Sequence, residues 1–364
     1  MSEGRRERNP GRSWRAGSST DGSVDLTRLL DIVAAFSRKT ICVIGDFVLD
    51  EFVSGEISRV SREAPVLILR HRRTETYPGG GANAVNNLAA LGARVLPVGV
   101  VGKDSHGQEL LGYFRHKGVD VSGIVVAADW TTSTKTRYLA GWTHTTEQQV
   151  LRVDREPRSH LPAKVQSVIA RNTRRFAERA DAVLVSDYGL GAITPDLVRR
   201  ISAKILTLDS RYRLRDFRGA RITAATPNEA ELEAEYQESI GTDTRKLEQL
   251  GKRAVQDLGL SALVVTRGKD GMAVFERGGG HDGQRAHAAQ HIPIYGSDSP
   301  VDVTGAGDTV IAVFTLALAA GASYIEAAHL SNYAGGIVVM KRRTATVTHG
   351  ELEAALRREA TAQR

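Results

Sequence analysis

The chain has 364 residues, of which 41% are hydrophobic and 5% aromatic, and its formal net charge is +7. That content is enough for a sizeable core in one large domain or two ordinary ones. Its single cysteine excludes an internal disulfide framework and is typical of a cytoplasmic protein. No apolar run reaches the ~18 residues that span a bilayer, so we expect no membrane association.

The first 23 residues are polar, rich in Arg, Gly and Ser, and without hydrophobic periodicity. They are predicted to form a disordered basic tail. Five arginines and two glutamates in residues 1–20 put part of the positive charge there. The remainder shows no compact basic patch interleaved with aromatic residues, so we expect no nucleic-acid partner.

From residue 24 onward, strand-like apolar runs alternate with helical segments. A helix in "DLTRLLDIVAAF" precedes a buried strand, "TICVIGDFVLDEF", in which the apolar run reaches Gly45 and Asp46. Later strand-like runs are "RVLPVGVVG", "DAVLVSDYGLG", "KILTLDS", "RITAATPNE" and "ALVVTRG". This alternation predicts an α/β fold with a mostly parallel sheet and helices on both faces, over residues 24–355, followed by a C-terminal tail at 356–364. Ligands of such sheets bind beyond the carboxyl ends of the strands.

Two segments do not fit the alternation. Residues from about 51 to 77 and from 132 to 156 are strand-rich, alternate polar with apolar positions and lack a helical pattern. They predict a small antiparallel β flap beside the main sheet, which we call the lid.

The motif "DVTGAGDT" stands directly before the apolar helix "VIAVFTLALAA". Gly305, Ala306 and Gly307 would form a turn whose backbone N–H groups, at the positive end of the helix, bind an anion. Asp308 beside that turn could take a proton from a hydroxyl that attacks a bound phosphoryl group. The alternative is an ordinary glycine turn with an Asp at the helix start. The Walker pattern is absent, and no G-x-G-x-x-G follows the first strand, which disfavours P-loop and dinucleotide-binding proteins.

Further motifs raise the specificity of this interpretation. "YPGGGANAVNNL" puts Gly79, Gly80 and Asn83 at a helix entry, "TPNEAELE" puts Asn228 and Glu231 on one helical face, and "VVTRGKDG" puts Thr266 and Gly268 at a strand end. In this order, with "DVTGAGDT", they resemble the ribokinase or PfkB-type carbohydrate kinases from about Ile41 to Val347. The implied fold is ribokinase-like, with three layers and a β lid.

Within that family, several stretches resemble D-glycero-D-manno-heptose 7-phosphate kinases, the kinase half of ADP-heptose synthases. These stretches are "GDFVLDEF", "SRVSREAPV", "PGGGAN", "QQVLRVDRE", "LVSDYGLGAIT" and "DVTGAGDTVIAV". The chain departs from the subgroup at Leu190, where a lysine is usual, and in "KRRTATV", which lacks a usual glycine before its first threonine. "LDSRYRLRDFRGA" also replaces a shorter Asp-Pro-Lys-type segment.

The resemblance implies a role for each matched residue. Asp46, Gly79, Gly80 and Asn83 would bind the sugar, and Arg59 and Arg152 of the lid its phosphate. Asn228 and Glu231 would organise Mg²⁺, while Thr266, Gly268 and Asn332 would line the ATP site. Gly305, Ala306 and Gly307 would form the anion hole, Asp308 would be the base, and Asp302 with Thr304 would belong to a monovalent-cation site for K⁺.

Each role has a structural alternative. Asp46 could cap a turn, Glu231 could lie on a solvated helix face, and Asn332 could be a core amide. The leading hypothesis is an ATP-dependent kinase of a sugar or sugar phosphate, acting on the anomeric hydroxyl of a heptose 7-phosphate and dimerising through the lid. The alternatives are a kinase of another sugar or a nucleoside, and a catalytically silent family member that serves as a binding protein.

Overall fold

The computed structural model describes residues 24–142, 147–158, 160–211, 213–278 and 289–362. The predicted basic tail at residues 1–23 lies outside these ranges. The helices are α1 (Leu26–Ala34), α2 (Gly81–Ala90), α3 (Ser105–His116), α4 (Ala163–Ala177), α5 (Pro195–Arg199), α6 (Glu229–Tyr236), α7 (Thr244–Leu258), α8 (Ala306–Ala319), α9 (Tyr324–Val338) and α10 (His349–Ala362). The strands are β1 (Thr40–Gly45), β2 (Phe47–Val60), β3 (Leu67–Gly80), β4 (Arg94–Gly102), β5 (Ile124–Ala127), β6 (Ser133–Gly141), β7 (Gln148–Arg155), β8 (Ala182–Asp187), β9 (Leu206–Ser210), β10 (Ala224–Ala225), β11 (Ala262–Thr266), β12 (Met272–Glu276) and β13 (Gln290–Ile292).

The main sheet of the described chain has nine strands in the order β13-β12-β11-β10-β9-β8-β1-β4-β5. The pairings from β5 across to β11 are parallel, and only β12 and β13 at one edge run antiparallel. The predicted mostly parallel sheet is confirmed.

Alternate residues of the central strand β1 serve two separate cores. Ile41 and Val43 pack in a cluster with residues of α1, α2, α8, α9 and α10. Cys42 and Ile44 belong to a second cluster with residues of α4, α6 and α7. Successive strand residues point to opposite faces, so a continuous apolar strand requires helices on both sides. The result is the predicted three-layer arrangement.

Helix α8 is almost completely enclosed by the rest of the domain. Every residue from Asp308 to Leu318 is buried, as expected for a helix that is apolar on all sides. It packs on α2, α9 and strand β8, which fixes its N-terminus beside the carboxyl ends of β1 and β8. Among the described residues, no helix combines the length and the apolar character needed to cross a membrane.

The lid is a separate four-stranded sheet in the order β3-β2-β6-β7. The hairpins β2–β3 and β6–β7 are antiparallel, and a parallel pairing of β2 with β6 joins them. The first lid segment extends further than the sequence predicts, because β2 starts at Phe47 and β3 continues to Gly80, while β6 and β7 lie within the second predicted segment. The lid strands therefore run directly into the residues around the site.

The C-terminal boundary differs from the sequence-based one. Helix α10 continues through residue 356 to Ala362. Its residues Leu352, Ala355 and Leu356 are fully buried, and it packs on α1 and α9. The segment predicted as a tail from residue 356 therefore begins inside a helix of the domain.

Candidate active site

Asp308 lies in the first turn of α8 and is 3% exposed. Its Oδ2 accepts a hydrogen bond from the Asn83 side-chain amide at 3.1 Å, and its Oδ1 accepts one from the Tyr188 hydroxyl at 2.8 Å. Asn83 comes from α2 and Tyr188 from the turn after β8. Three elements distant in sequence thus fix one carboxylate.

The turn before Asp308 requires glycine at position 305. Gly305 has φ +77°, a left-handed conformation that side chains disfavour, and a Cβ there would lie 2.4 Å from the Asn83 amide nitrogen. That amide also donates to the Gly305 carbonyl at 3.2 Å. Asn87 orients Asn83 by donating to its side-chain oxygen at 3.0 Å. The close approach of Asn83 to the turn therefore depends on the missing side chain.

Burial raises the pKa of Asp308 to about 7. The hydrogen bonds from Asn83 and Tyr188 oppose the shift, and the nearby Asp50 carboxylate adds to it. Burial and the Asp308 charge also raise the pKa of Tyr188 well above its usual value, so this phenol keeps its proton and donates. A carboxylate with a pKa near neutrality is suited to general-base chemistry.

A cleft of about 200 Å³ opens beside the first turn of α8. It unites five residues singled out in the sequence: Thr266, Gly268, Ala306, Gly307 and Asn332. Nothing lies within 4 Å of a Cβ placed at Gly307, so a ligand can approach the backbone there. Helix N-termini with such access bind phosphate groups. The apolar part of the wall is formed by Met272, Ile294, Val303, Val310 and Val339.

Asn332 lines this cleft but is also held by the protein, since its side-chain amide donates to the Pro293 carbonyl at 2.7 Å. Asn228 and Glu231 form the capping box of α6, in which each side chain accepts from the other residue's backbone N–H. Asn228 also bridges to Thr266 at the end of β11, next to the cleft. Burial raises the pKa of Glu231.

Asp209, at the end of β9, was not singled out in the sequence. Its pKa is raised well above the usual value, first by burial and then by the charges of Glu231, Asp308 and Asp187. An acidic patch therefore borders Asp308. Within the described ranges, no group of three or more His, Cys, Asp or Glu side chains could hold a metal ion by itself.

The contacts of Asp46 are those of a residue that caps a turn. It is 2% exposed, and its carboxylate accepts from the backbone N–H groups of Tyr188, Leu190 and Ala192 at 2.9–3.0 Å. Burial and the neighbouring Asp187 raise its pKa to about 6. These contacts fasten the turn that carries Tyr188, so Asp46 positions the partner of Asp308.

Asp50 is a further site residue that was not singled out in the sequence. It is 4% exposed, and its carboxylate accepts from Arg137 at 2.7 Å and from the Thr344 hydroxyl at 2.8 Å. A Cβ at Gly79 would lie 2.6 Å from its Oδ2, which explains a glycine at that position. Asp50 shares one face of β2 with the buried Val48, Phe52 and Ser54, so a carboxylate inside this strand-like run was the signal that could have found it.

The two lid arginines differ in position. Arg59 is exposed near the far end of β2, about nine residues from Asp50 and therefore roughly 25–30 Å away along the strand. Arg152 lies on β7 opposite Arg137, and its guanidinium is bound to Asp154 at 2.7 Å. The structure brings Arg152, and not Arg59, towards the site.

Asp302 joins two loops. Its Oδ1 accepts from the Thr304 backbone at 2.9 Å and its Oδ2 from the Arg343 backbone at 2.8 Å. Arg343 stands where a glycine is usual and has the left-handed φ of +65°. Its guanidinium pairs with Glu75 of the lid at 2.7 Å and lies over the Phe52 ring. These lid contacts stabilise a conformation that a non-glycine residue rarely adopts.

Comparison with known proteins agrees with this geometry. The model for the pfkB family of carbohydrate kinases matches residues 38–186 and 200–349, and the chain belongs to that family. Members are phosphotransferases with an alcohol group as acceptor.

Curated relatives include the bifunctional protein HldE of Geobacter sulfurreducens, 40% identical over 323 residues, which cover 86% of this chain and 62% of that protein. HldE of Desulfatibacillum aliphaticivorans is 38% identical over 331 residues, covering 89% of this chain and 64% of that protein. The chain thus spans less than two thirds of the length of these relatives.

Two solved structures share the fold. Phosphofructokinase-2 from Escherichia coli, in complex with substrates and products, has a TM-score of 0.70 at 16% identity and covers 90% of this chain and 100% of its own. Ribokinase from Arabidopsis thaliana, complexed with ribose and ATP, has a TM-score of 0.65 at 19% identity and covers 87% of this chain and 98% of its own.

Proposed function

We propose that this chain is an ATP-dependent kinase that transfers the γ-phosphoryl group to the anomeric hydroxyl of a heptose 7-phosphate. The observation that carries the proposal is the position of Asp308. This buried carboxylate, with a pKa of about 7, lies between the lid and the cleft at the N-terminus of α8.

The chemistry follows from that position. The acceptor hydroxyl gives its proton to the Asp308 carboxylate while its oxygen bonds to the γ-phosphorus. The bond from the γ-phosphorus to the β–γ bridging oxygen breaks, and ADP leaves with that electron pair. The backbone N–H groups of Gly305, Ala306 and Gly307 stabilise the charge on the transferred group. Asn83 and Tyr188 hold the base in place.

The cleft is the proposed ATP site. Its apolar wall suits the adenine ring, and Thr266, Gly268 and Gly307 supply close backbone approach for the ribose and phosphates. Most ligand sites combine an apolar lining with a few polar groups in this way. Asn332 would lie near the adenine ring.

Mg²⁺ would bind mainly through ATP phosphates and water. This fits the donor set, because Glu231 and Asp209 are oxygen donors whose pKa values burial raises, and Mg²⁺ keeps several waters rather than needing an all-protein cage. Asn228 and Glu231 would hold the hydrated ion, which neutralises phosphate charge when bound. A K⁺ site at Asp302 and Thr304 remains a prediction. Both Asp302 carboxylate oxygens already accept hydrogen bonds from backbone N–H groups.

A heptose 7-phosphate as acceptor is supported by the sequence resemblance and by the similarity to HldE proteins. The departures at Leu190 and Arg343 favour a second candidate, a kinase of another phosphorylated sugar. Asp50, Asn83 and the backbone at Gly79 and Gly80 would bind the sugar hydroxyls. Arg59 has no part in this site as the chain stands, because of its distance along β2.

The lid is also the proposed homodimer surface. Its large exposed hydrophobic side chains include Val60, Val66, Val150, Leu151 and Val153, each 47–59% exposed. Apolar side chains concentrated on one surface mark an interaction site, and a second copy of the lid offers a matching surface.

Steady-state ATP consumption against a panel of heptose 7-phosphate, fructose 6-phosphate, ribose, fructose and a nucleoside tests the function. The proposal expects the highest kcat/KM for heptose 7-phosphate. A higher value for fructose 6-phosphate would support the second candidate, and a higher value for a free sugar or nucleoside would refute both. If no compound of the panel increases ATP consumption, the result would support the alternative of a catalytically silent binding protein.

A further inference from the structure

Lys135 lies in the middle of the lid, on strand β6. It is directly opposite Asp50 on β2 and Asp154 on β7. Residues opposite each other in neighbouring strands project from the same face, so the three side chains share the face that carries Asp50 to the site. The sequence analysis gave Lys135 no role.

The two carboxylates beside Lys135 already have cationic partners. Asp50 accepts from Arg137, and Asp154 accepts from Arg152, each at 2.7 Å. The Lys135 ammonium instead lies over the face of the Tyr188 ring, 4.7 Å from its centroid. A cation held mainly by a ring face can still form a stronger bond to an anion, because charge-assisted hydrogen bonds exceed cation–π contacts in energy.

Tyr188 connects this ammonium to the base. Its hydroxyl donates to Asp308 Oδ1 at 2.8 Å, so only one aromatic ring separates the Lys135 ammonium from the reacting centre. A sugar whose hydroxyl reaches Asp308 can therefore bring a distant substituent to Lys135.

Charges of both signs act on Lys135. Burial lowers the pKa of Lys135, and the neighbouring charges of Arg211 and Arg152 add to this effect, while Asp50 and Asp308 oppose it. Lys135 therefore lies among two further cations and two carboxylates.

The proposed ATP cleft contains no described lid residue. In the described part of the chain, the cleft is lined by residues between Thr266 and Val339, all of the core domain. Lys135 belongs to the lid, which covers the acceptor side. The phosphate that Lys135 meets is therefore one carried by the acceptor.

We propose that Lys135, assisted by Arg152, binds the phosphate group of the acceptor sugar and sets the preference for phosphorylated over free sugars. This inference rests on the proposed kinase function. It also accounts for Leu190: the turn at Tyr188 lacks the cation that is usual there, and Lys135 supplies one above the same turn. Lys135 is a specificity-determining residue and takes no proton in the reaction.

The test compares Lys135→Met, which removes the charge, with Lys135→Arg, which keeps it. Lys164→Met, at an exposed position of α4, is the matched control. Each protein is assayed with Mg-ATP and either heptose 7-phosphate or the unphosphorylated heptose. Calorimetric titration with the same two sugars, without ATP, gives affinities that do not depend on turnover.

Lys135→Met should lower kcat/KM and affinity for the phosphosugar about 10- to 100-fold, the range of one charged hydrogen bond. The values for the free sugar should change less than about threefold, and Lys135→Arg should keep most of the preference. An equal loss for both sugars would overturn the proposal and place Lys135 at the transferred phosphoryl group. An unchanged preference would overturn it too. If the wild-type protein neither binds nor phosphorylates either sugar, the proposed function itself fails.

Discussion

The Asn83 side-chain amide donates to the Asp308 carboxylate at 3.1 Å, across 225 positions of sequence. The same nitrogen donates to the Gly305 carbonyl at 3.2 Å, so one amide fixes both Asp308 and the glycine turn. The proposed chemistry depends on this relationship, because an attacking hydroxyl must reach a base and a phosphoryl group at once.

The pH dependence of activity should follow Asp308. Burial raises its pKa to about 7, and only the ionised form accepts a proton. We expect kcat/KM to increase with pH up to about 7 and then to level off. The residual rate of Asp308→Asn, measured over the same range, controls for titration of the sugar phosphate. A wild-type profile parallel to that of the variant would show that Asp308 does not limit the reaction.

Ionised Asp308 should lower the stability of the folded protein at alkaline pH. Its folded-state pKa, about 7, exceeds the usual 3.8 of the unfolded chain. The folded state therefore binds more protons between these values, and stability falls as pH rises from about 4 to 7. We expect Asp308→Asn to raise Tm at pH 8, with a difference that shrinks towards pH 4. The exposed Asp216→Asn is the control; an equal Tm difference for Asp308→Asn at both pH values would contradict the assigned pKa.

Glu231 should affect the Mg²⁺ requirement. We expect Glu231→Gln to raise the Mg²⁺ concentration at half-maximal rate several-fold, since a carboxylate that attracts the hydrated ion is lost. Glu248→Gln on α7, where the carboxylate pairs with Lys252 on the same helix, is the matched control. The metal role of Glu231 would be refuted by superimposable Mg²⁺ titrations.

The lid should hold two copies of the chain together. Leu151, 55% exposed on β7, would lie in the contact, and Leu151→Lys should shift the sedimentation coefficient from dimer to monomer. Val126→Lys, at a 50% exposed position of β5 in the main sheet, should leave the dimer intact. A wild-type protein that sediments as a monomer at micromolar concentration would contradict the proposal.

The sequence predicted those features that depend on local pattern. Continuous apolar strands alternating with helices predicted the parallel three-layer core, and the glycine turn predicted the position of Asp308. Contacts between distant segments were not predictable. The hydrogen bond from Thr344 to Asp50 links residues 294 positions apart, and no spacing rule indicates it.

The two aspartates of "GDFVLDEF" illustrate the same limit. Asp46 ends the apolar run and was selected for that reason, yet its carboxylate is engaged by three backbone N–H groups. Asp50 lies inside the next strand, where a charge is unusual, and reaches the site because the chain leaves the main sheet after β1 and continues in the lid as β2. That change of sheet is a tertiary feature.

The central claim is that Asp308 is the base of a phosphoryl transfer to a phosphorylated sugar. Its most direct test is ³¹P NMR of a mixture of heptose 7-phosphate and Mg-ATP with wild-type protein or Asp308→Asn. The account predicts that wild-type protein forms ADP and a 1,7-bisphosphate, and that Asp308→Asn forms it roughly 10²–10⁴ times more slowly with unchanged ATP affinity. Formation of the bisphosphate at equal rates by both proteins, or no product with the wild-type protein, would contradict it.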